Sequence, residues 1–259
     1  MADTRASAGA RDSHMSAGQI ATPANELGVL ETAWDRLWPA LSQHAPTIVA
    51  VTEYDAICQA LGNCAGQTIL DLGCGIGQPV TTFAKASGVF AVDFSMEALT
   101  RYRTHPSSHV VKVHATALRL PFADHMFDVV VAAQLLPHLA REQRGSVLRE
   151  VARILKPGGK AIVTTLHYNF RFPKLGMAKT GMSDGVYFFL HSADEFREEL
   201  AGALQVRSLW GVWNYLPKTY QLFMRLGRKT LYWDRLVRRT PLSLRYGKQL
   251  VAVCRLRSS

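Results

Sequence analysis

Apolar positions in this chain recur at two spacings, and the two take turns. Residues 1–26 are rich in Ala, Ser, Gly and Thr and show no apolar period, so the sequence predicts a disordered leader there. Leu27–Leu41 and Thr47–Leu61 then read as two helices, with Trp34, Leu37 and Trp38 sharing an apolar face. From there strand-like and helical patterns alternate. The strands predicted are Thr68–Leu72, Val89–Asp93, His109–His114, Phe127–Ala133, Ala161–Leu166, Leu204–Trp213 and Lys248–Leu256. Helices are predicted over Gln78–Ser87 and from a Ser95 cap through Tyr102. A further helix runs to Lys156 and stops at Pro157-Gly158-Gly159, and a capping box, Ser192-Ala-Asp-Glu195, opens one to about Gly202. Such alternation predicts a mostly parallel sheet with helices on both faces.

Two segments break the rhythm. Residues 167–191 and 214–247 are long connections that follow the carboxyl ends of strands, where open α/β sheets bind ligands. The division expected is therefore a leader (1–26), an N-terminal helical cap (27–64) and one domain (65–259) with lid insertions at 167–191 and 214–247. The first insertion is aromatic, with His167, Tyr168, Phe170, Phe172, Tyr187, Phe188, Phe189 and His191.

Charge sharpens the second insertion. The net charge is +10, yet residues 1–216 sum to zero. From Pro217 onward there are 11 basic residues and one acid, Asp234. Thr219–Thr240 on a helical wheel puts Leu222, Leu226, Trp233, Leu236 and Val237 on one side and most arginines across from them. Three roles fit: a lid helix with solvated charges, peripheral contact with an anionic membrane through 219–240, or contact with phosphates. No apolar run reaches 18 residues, and the four cysteines show neither a C-x-x-C pair nor zinc spacing. A cytoplasmic, reduced chain without structural metal is expected, with membrane-peripheral attachment as a variant of that localisation.

The chemistry concentrates in Thr68-Ile-Leu-Asp-Leu-Gly-Cys-Gly-Ile-Gly-Gln78, a buried strand running into a glycine turn. Its G-x-G-x-G spacing differs from the dinucleotide fingerprint, and Asp71 at the strand end would repel a pyrophosphate and hold an ammonium. Asp93 ends the next strand 22 residues on, the distance suited to an acid accepting from two ribose hydroxyls. Ala115–Val131 contains Leu-Pro-Phe and Phe-Asp-Val-Val runs, and Leu155-Lys-Pro-Gly-Gly159 precedes a strand.

Asp71-Leu-Gly-Cys-Gly-Ile-Gly77 resembles motif I of the class I S-adenosylmethionine-dependent methyltransferases, and the later runs match that family in order across residues 65–166. The resemblance implies a Rossmann-like sandwich with a seven-stranded, mostly parallel sheet whose last strand is antiparallel. It implies S-adenosyl-L-methionine as cofactor, held by Asp71, Gly73, Cys74, Gly75, Gly77, Gln78, Asp93, Phe94, Ser95, Thr116, Ala117 and Gln134. Thr116 stands where the family usually has an Asp to accept from the adenine amino group. A neutral acceptor there lowers the expected affinity by on the order of 1 kcal/mol.

The resemblance fixes the donor and leaves the acceptor to the rest of the chain. An oxygen or carbon acceptor needs a base, and His138, His167 and His191 are the candidates near the expected strand edge. Trp34, Tyr168, Phe170, Phe172, Tyr187 and Tyr215 are candidate acceptor-binding residues, which favours a small aromatic or apolar acceptor, secondary-metabolite or lipid-like. Two alternatives stand beside this: a non-methylating member of the fold acting as a cyclase or binding protein, and an RNA methyltransferase. The sequence shows no nucleic-acid module, and an oligomer is compatible with it.

Overall fold

The structure, a computed structural model, describes residues 27–43, 47–77, 83–104, 109–214, 225–226 and 229–257. The leader, Gln78, Tyr215, Leu222, and the first five residues of the Gln78–Ser87 helix expectation lie outside the described residues.

Two helices open the described chain, α1 (Leu27–Gln43) and α2 (Ile48–Leu61). Thr47 caps α2 by accepting from the Ala50 N–H at 3.2 Å. There follow β1 (Thr68–Leu72), β2 (Gly88–Asp93), α3 (Met96–Arg101), β3 (Val110–His114), β4 (Phe127–Ala132), α4 (Arg141–Ile154) and β5 (Leu155–Leu166). The first insertion folds into α5 (Arg171–Lys174) and a hairpin of β6 (Thr180–Ser183) and β7 (Val186–Phe189). The chain closes with α6 (Ala193–Ala201), β8 (Gln205–Val212), α7 (Thr230–Val237), α8 (Ser243–Tyr246) and β9 (Gln249–Arg255).

The main sheet has seven strands in the order β3-β2-β1-β4-β5-β9-β8, with β9 antiparallel to both of its neighbours. That is the sheet the sequence led us to expect. Helix α4 ends two residues short of the expected Lys156, because Leu155 already pairs with Phe127 and the Pro-Gly-Gly turn lies inside β5. Alternation along the central strands builds two cores. Leu70, Leu72, Val130 and Ala132 pack with Val147, Leu148 and Val151 of α4 and with Phe196 and Leu200 of α6. Ile69, Val129, Val131 and Ile162 pack on the other face with Ala56, Ile57 and Leu61 of α2. The Lys160 ammonium ties α2 to the sheet by donating to the carbonyls of Ala60 and Leu61 at the helix end (2.8 and 2.6 Å).

Helix α7 follows the helical-wheel expectation at Val237 but departs from it at Trp233 and Leu236. Thr230, Asp234, Val237 and the nearby Arg238 are buried, while Trp233 and Leu236 face outward. The reason is non-local: Arg235 and Arg238 reach Asp55 on α2, and Arg238 also pairs with Asp234 at 2.5 Å. Two arginines thereby draw the polar side inward. No helix among the described residues is long and apolar enough to cross a membrane.

Candidate active site

Strand order reverses between β1 and β4, and open α/β sheets take ligands at the carboxyl ends of strands beside such a switch. The turn after β1 sits there. Gly73, Gly75 and Gly77 all have positive φ, at 65°, 50° and 73°. Gly75 shows why glycine is needed: an added Cβ would lie 2.7 Å from the Trp38 ring of α1.

Asp93, at the end of β2, organises the turn. Its carboxylate accepts from the Gly75 N–H (2.8 Å) and from the Ser95 N–H (2.9 Å), and burial raises its pKa above the usual carboxylate range. Ser95 in turn caps α3 and donates its hydroxyl to Asp35 of α1. Asp71 is buried beneath the turn, where the Tyr102 hydroxyl donates to it at 3.0 Å. Burial lifts the Asp71 pKa to about 7 in spite of that bond.

A cavity of about 810 Å³, counted out to its open mouth, lies above these strand ends. One part of its wall is Gly73, Asp93, Phe94, Thr116, Ala117 and Leu118, and the other is Trp34, Trp38, Ala133, Gln134, Leu135, His138 and Leu139. Trp34 and Trp38 stack on each other with ring centroids 5.0 Å apart, so α1 lies across the cavity as a cover. The Trp34 ring also meets His138 edge-on at 4.9 Å.

His138 Nδ1 is 2.9 Å from the Tyr187 carbonyl oxygen. A carbonyl only accepts, so Nδ1 carries the proton and Nε2 keeps its lone pair. Burial pushes the His138 pKa down, which holds the ring neutral near pH 7.

The other two histidines are placed differently and do not line the cavity. His167 Nδ1 donates to the Gly247 carbonyl at 2.9 Å, and burial pushes its pKa to about 4. His191 is fully buried in a cluster behind β5. It contacts Thr165 Oγ1 (2.7 Å) and Glu199 (2.9 Å), and Glu199 pairs with Arg144 at 2.9 Å.

Among the aromatic candidates, Trp34 lines the cavity and Tyr187 contributes its carbonyl to His138. Tyr168 and Phe172 pack against each other, and the Tyr168 hydroxyl donates to the Met177 carbonyl. Phe170 is ringed by Tyr246, Arg245, Arg171 and Lys174. Cys74 and Ser95 are buried beneath the cavity floor, and Thr116 Oγ1 accepts from the Leu118 N–H.

Glu53 of α2 is a residue that the sequence reading missed. Its buried carboxyl accepts from the Thr164 hydroxyl, from Gln134 Nε2 (2.6 Å) and from Gln249 Nε2 (3.2 Å), and burial raises its pKa. Gln134 is itself held at φ 54°, with its N–H donating to Thr164 Oγ1 at 3.0 Å. The available signal was an acid on the apolar face of Ile48–Leu61, one turn before Ala56 and Ile57.

Sheet order, glycine turn and paired buried acids define a doubly wound α/β protein with its ligand cavity at the strand-order switch. Two carboxylates at that turn suit a ligand with hydroxyl and ammonium donors and exclude a pyrophosphate. Residues 70–163 match the family model described as a methyltransferase domain. The chain is 32% identical over 187 residues to a demethylmenaquinone methyltransferase of Bacillus licheniformis, covering 64% of this chain and 79% of that protein. It is also 37% identical over 103 residues to the 27-O-demethylrifamycin SV methyltransferase of Amycolatopsis mediterranei, covering 37% of each. Matches to two further curated relatives span 49% and 63% of their lengths. A putative S-adenosylmethionine-dependent methyltransferase structure from Listeria monocytogenes superposes with a TM-score of 0.57 at 18% identity, covering 81% of this chain and 98% of that one. The chain belongs to the class I S-adenosylmethionine-dependent methyltransferase superfamily, and S-adenosylmethionine is the cofactor of that family.

Proposed function

We propose that this protein transfers a methyl group from S-adenosylmethionine to an oxygen of a small aromatic or quinol-like molecule. The observation that carries the reading is His138: a neutral imidazole on the cavity wall, its Nδ1 tied to a carbonyl and its Nε2 left basic. The relatives support the acceptor class, one being a demethylmenaquinone methyltransferase and the other a 27-O-demethylrifamycin SV methyltransferase.

S-adenosylmethionine held at the turn would supply a sulfonium methyl, with S-adenosylhomocysteine as the leaving group. Asp93 accepts from the ribose hydroxyls, because each of its oxygens keeps a lone pair beyond its bond to the backbone. Asp71 contributes negative charge beneath the methionine end, and Phe94 offers a face to the adenine. Trp34, Leu135 and Leu139 exclude water from the acceptor side. His138 Nε2 takes the acceptor's hydroxyl proton as that oxygen bonds the methyl carbon and the carbon–sulfur bond breaks. His167 and His191 have no part in this reading: neither lines the cavity, and both ring nitrogens of His191 are engaged by Thr165 and Glu199.

The test is S-adenosylhomocysteine release with a panel of phenols and reduced quinones, for the wild type and His138→Ala. Turnover should fall roughly 10²–10⁴-fold in the variant, the usual contribution of a general base, with cofactor affinity unchanged. Tight cofactor binding without turnover of any hydroxylated acceptor would refute transfer and favour a non-methylating role. Full activity in His138→Ala would refute the base.

A further inference from the structure

Ten large apolar side chains are strongly exposed among the described residues, and five of them fall between residues 226 and 242. They are Leu226, Tyr232, Trp233, Leu236 and Leu242, with Tyr232 at 76% and Leu236 at 64% exposure. Helix α7 explains the arrangement. Thr230, Asp234 and Val237 form its inner stripe, so Tyr232 and Leu236 project outward at i and i+4, flanked by Trp233, which is 40% exposed and donates its indole N–H to the Asn214 carbonyl at 2.9 Å.

The cations divide in the same way. Arg235 and Arg238 are neutralised by Asp55 and Asp234. Arg225, Lys229 and Arg239 are exposed and form no ion pair among the described residues. The segment's only acid, Asp234, is buried, so no carboxylate of the segment opposes these charges. The outward face thus has an apolar centre and a cationic border, on the segment that carries all of the chain's net charge.

We propose that this face of α7 docks on an anionic lipid bilayer. Tyr232 and Trp233 would sit at the headgroup level, Leu236 and Leu242 at the acyl boundary, and Lys229 and Arg239 on lipid phosphates. Charge complementarity selects an anionic surface. Nucleic acid fits less well, because phosphate contact gains nothing from the two exposed leucines. The inference does not depend on which acceptor the cavity takes.

The test is flotation of the full chain with two vesicle types, pure phosphatidylcholine and phosphatidylcholine containing about 30% phosphatidylglycerol. The wild type should float with the anionic vesicles only and detach as salt rises from about 0.1 M to about 1 M. Lys229→Gln with Arg239→Gln should weaken binding about 25-fold, at about fivefold per cation. Tyr232→Ser with Leu236→Ser should weaken it at least as much while leaving every charge in place. All four positions are exposed, so melting temperatures should match the wild type and separate loss of docking from loss of fold. Absence of flotation overturns the proposal. So does flotation that the Tyr232/Leu236 variant retains, which would mark a purely electrostatic surface. Self-association that this variant abolishes, without vesicle binding, assigns the face to a second copy of the chain and likewise overturns it.

Discussion

Gly75→Ala tests how the turn and the covering helix depend on each other. Gly75 has φ 50°, and the added Cβ would stand 2.7 Å from Trp38 Cη2 and 3.2–3.3 Å from two further ring carbons. Two costs follow. A Cβ in the left-handed region costs about 1–2 kcal/mol, which for a chain of this size lowers the melting temperature by about 2–4 °C. The second cost belongs to α1: ordinary carbon–carbon contact needs about 1 Å more room. The three nearest atoms all belong to the rigid Trp38 indole, so that ring must move and carry the cavity cover with it. A double-mutant cycle separates the two. Thermal unfolding and calorimetric binding of S-adenosylhomocysteine would be measured for Gly75→Ala, Trp38→Ala and the pair. The substitution should cost less stability in the Trp38→Ala background, with the strain remaining and the collision gone. Equal cost in both backgrounds, or a shift under about 1 °C in the wild type, would refute the contact.

Asp71 supplies a pH prediction. Its folded pKa of about 7 lies above the ordinary 3.8, so between those values the folded chain holds a proton that the unfolded chain has lost. This contribution to stability is complete at low pH and disappears as pH rises through about 7. Melting curves of the ligand-free protein from pH 5 to 8, compared with Asp71→Asn, should show a flatter pH dependence in the variant; parallel curves would sink the assignment. Glu53→Ala strands the donors of Thr164, Gln134 and Gln249 and should cost about 2–4 kcal/mol in urea unfolding, with Glu53→Gln costing clearly less. An alanine variant within about 0.5 kcal/mol of wild type would mean that the network does not bear on stability.

Local pattern was enough for the individual strands and for a mostly parallel sheet, while the seven-stranded arrangement with its antiparallel last strand was what the family resemblance implied. It was also enough for the glycine turn and the Ser192–Glu195 capping box, both of which form within a few residues. The β6–β7 hairpin went unread, although Asp184-Gly185 between the flanking strands is a turn signal and both residues take positive φ. The orientation of α7 was legible only in part, at Val237. A helical wheel weighs only the helix's own residues, and the deciding partner, Asp55, is 180 positions away. His191 illustrates the same limit. Its sequence neighbours are aromatic, while Arg144 and Glu199 come from two helices that only the fold brings to it. Among the three histidines, no local pattern tells the ring on the cavity wall from the two that lie away from it.

The placement of β9 bears on the order in which the molecule can be assembled. It is the last strand in the chain, yet it lies between β5 and β8 and pairs with both over most of its length. During synthesis, residues 155–166 must therefore leave the ribosome with one edge unsatisfied, and residues 205–212, the end strand of the sheet, with neither edge paired. They have to stay close enough for residues 249–255 to enter between them. The seven strands close into one sheet only when that final segment arrives. Until then the nascent chain exposes the unpaired backbone N–H and C=O edges that its finished sheet satisfies.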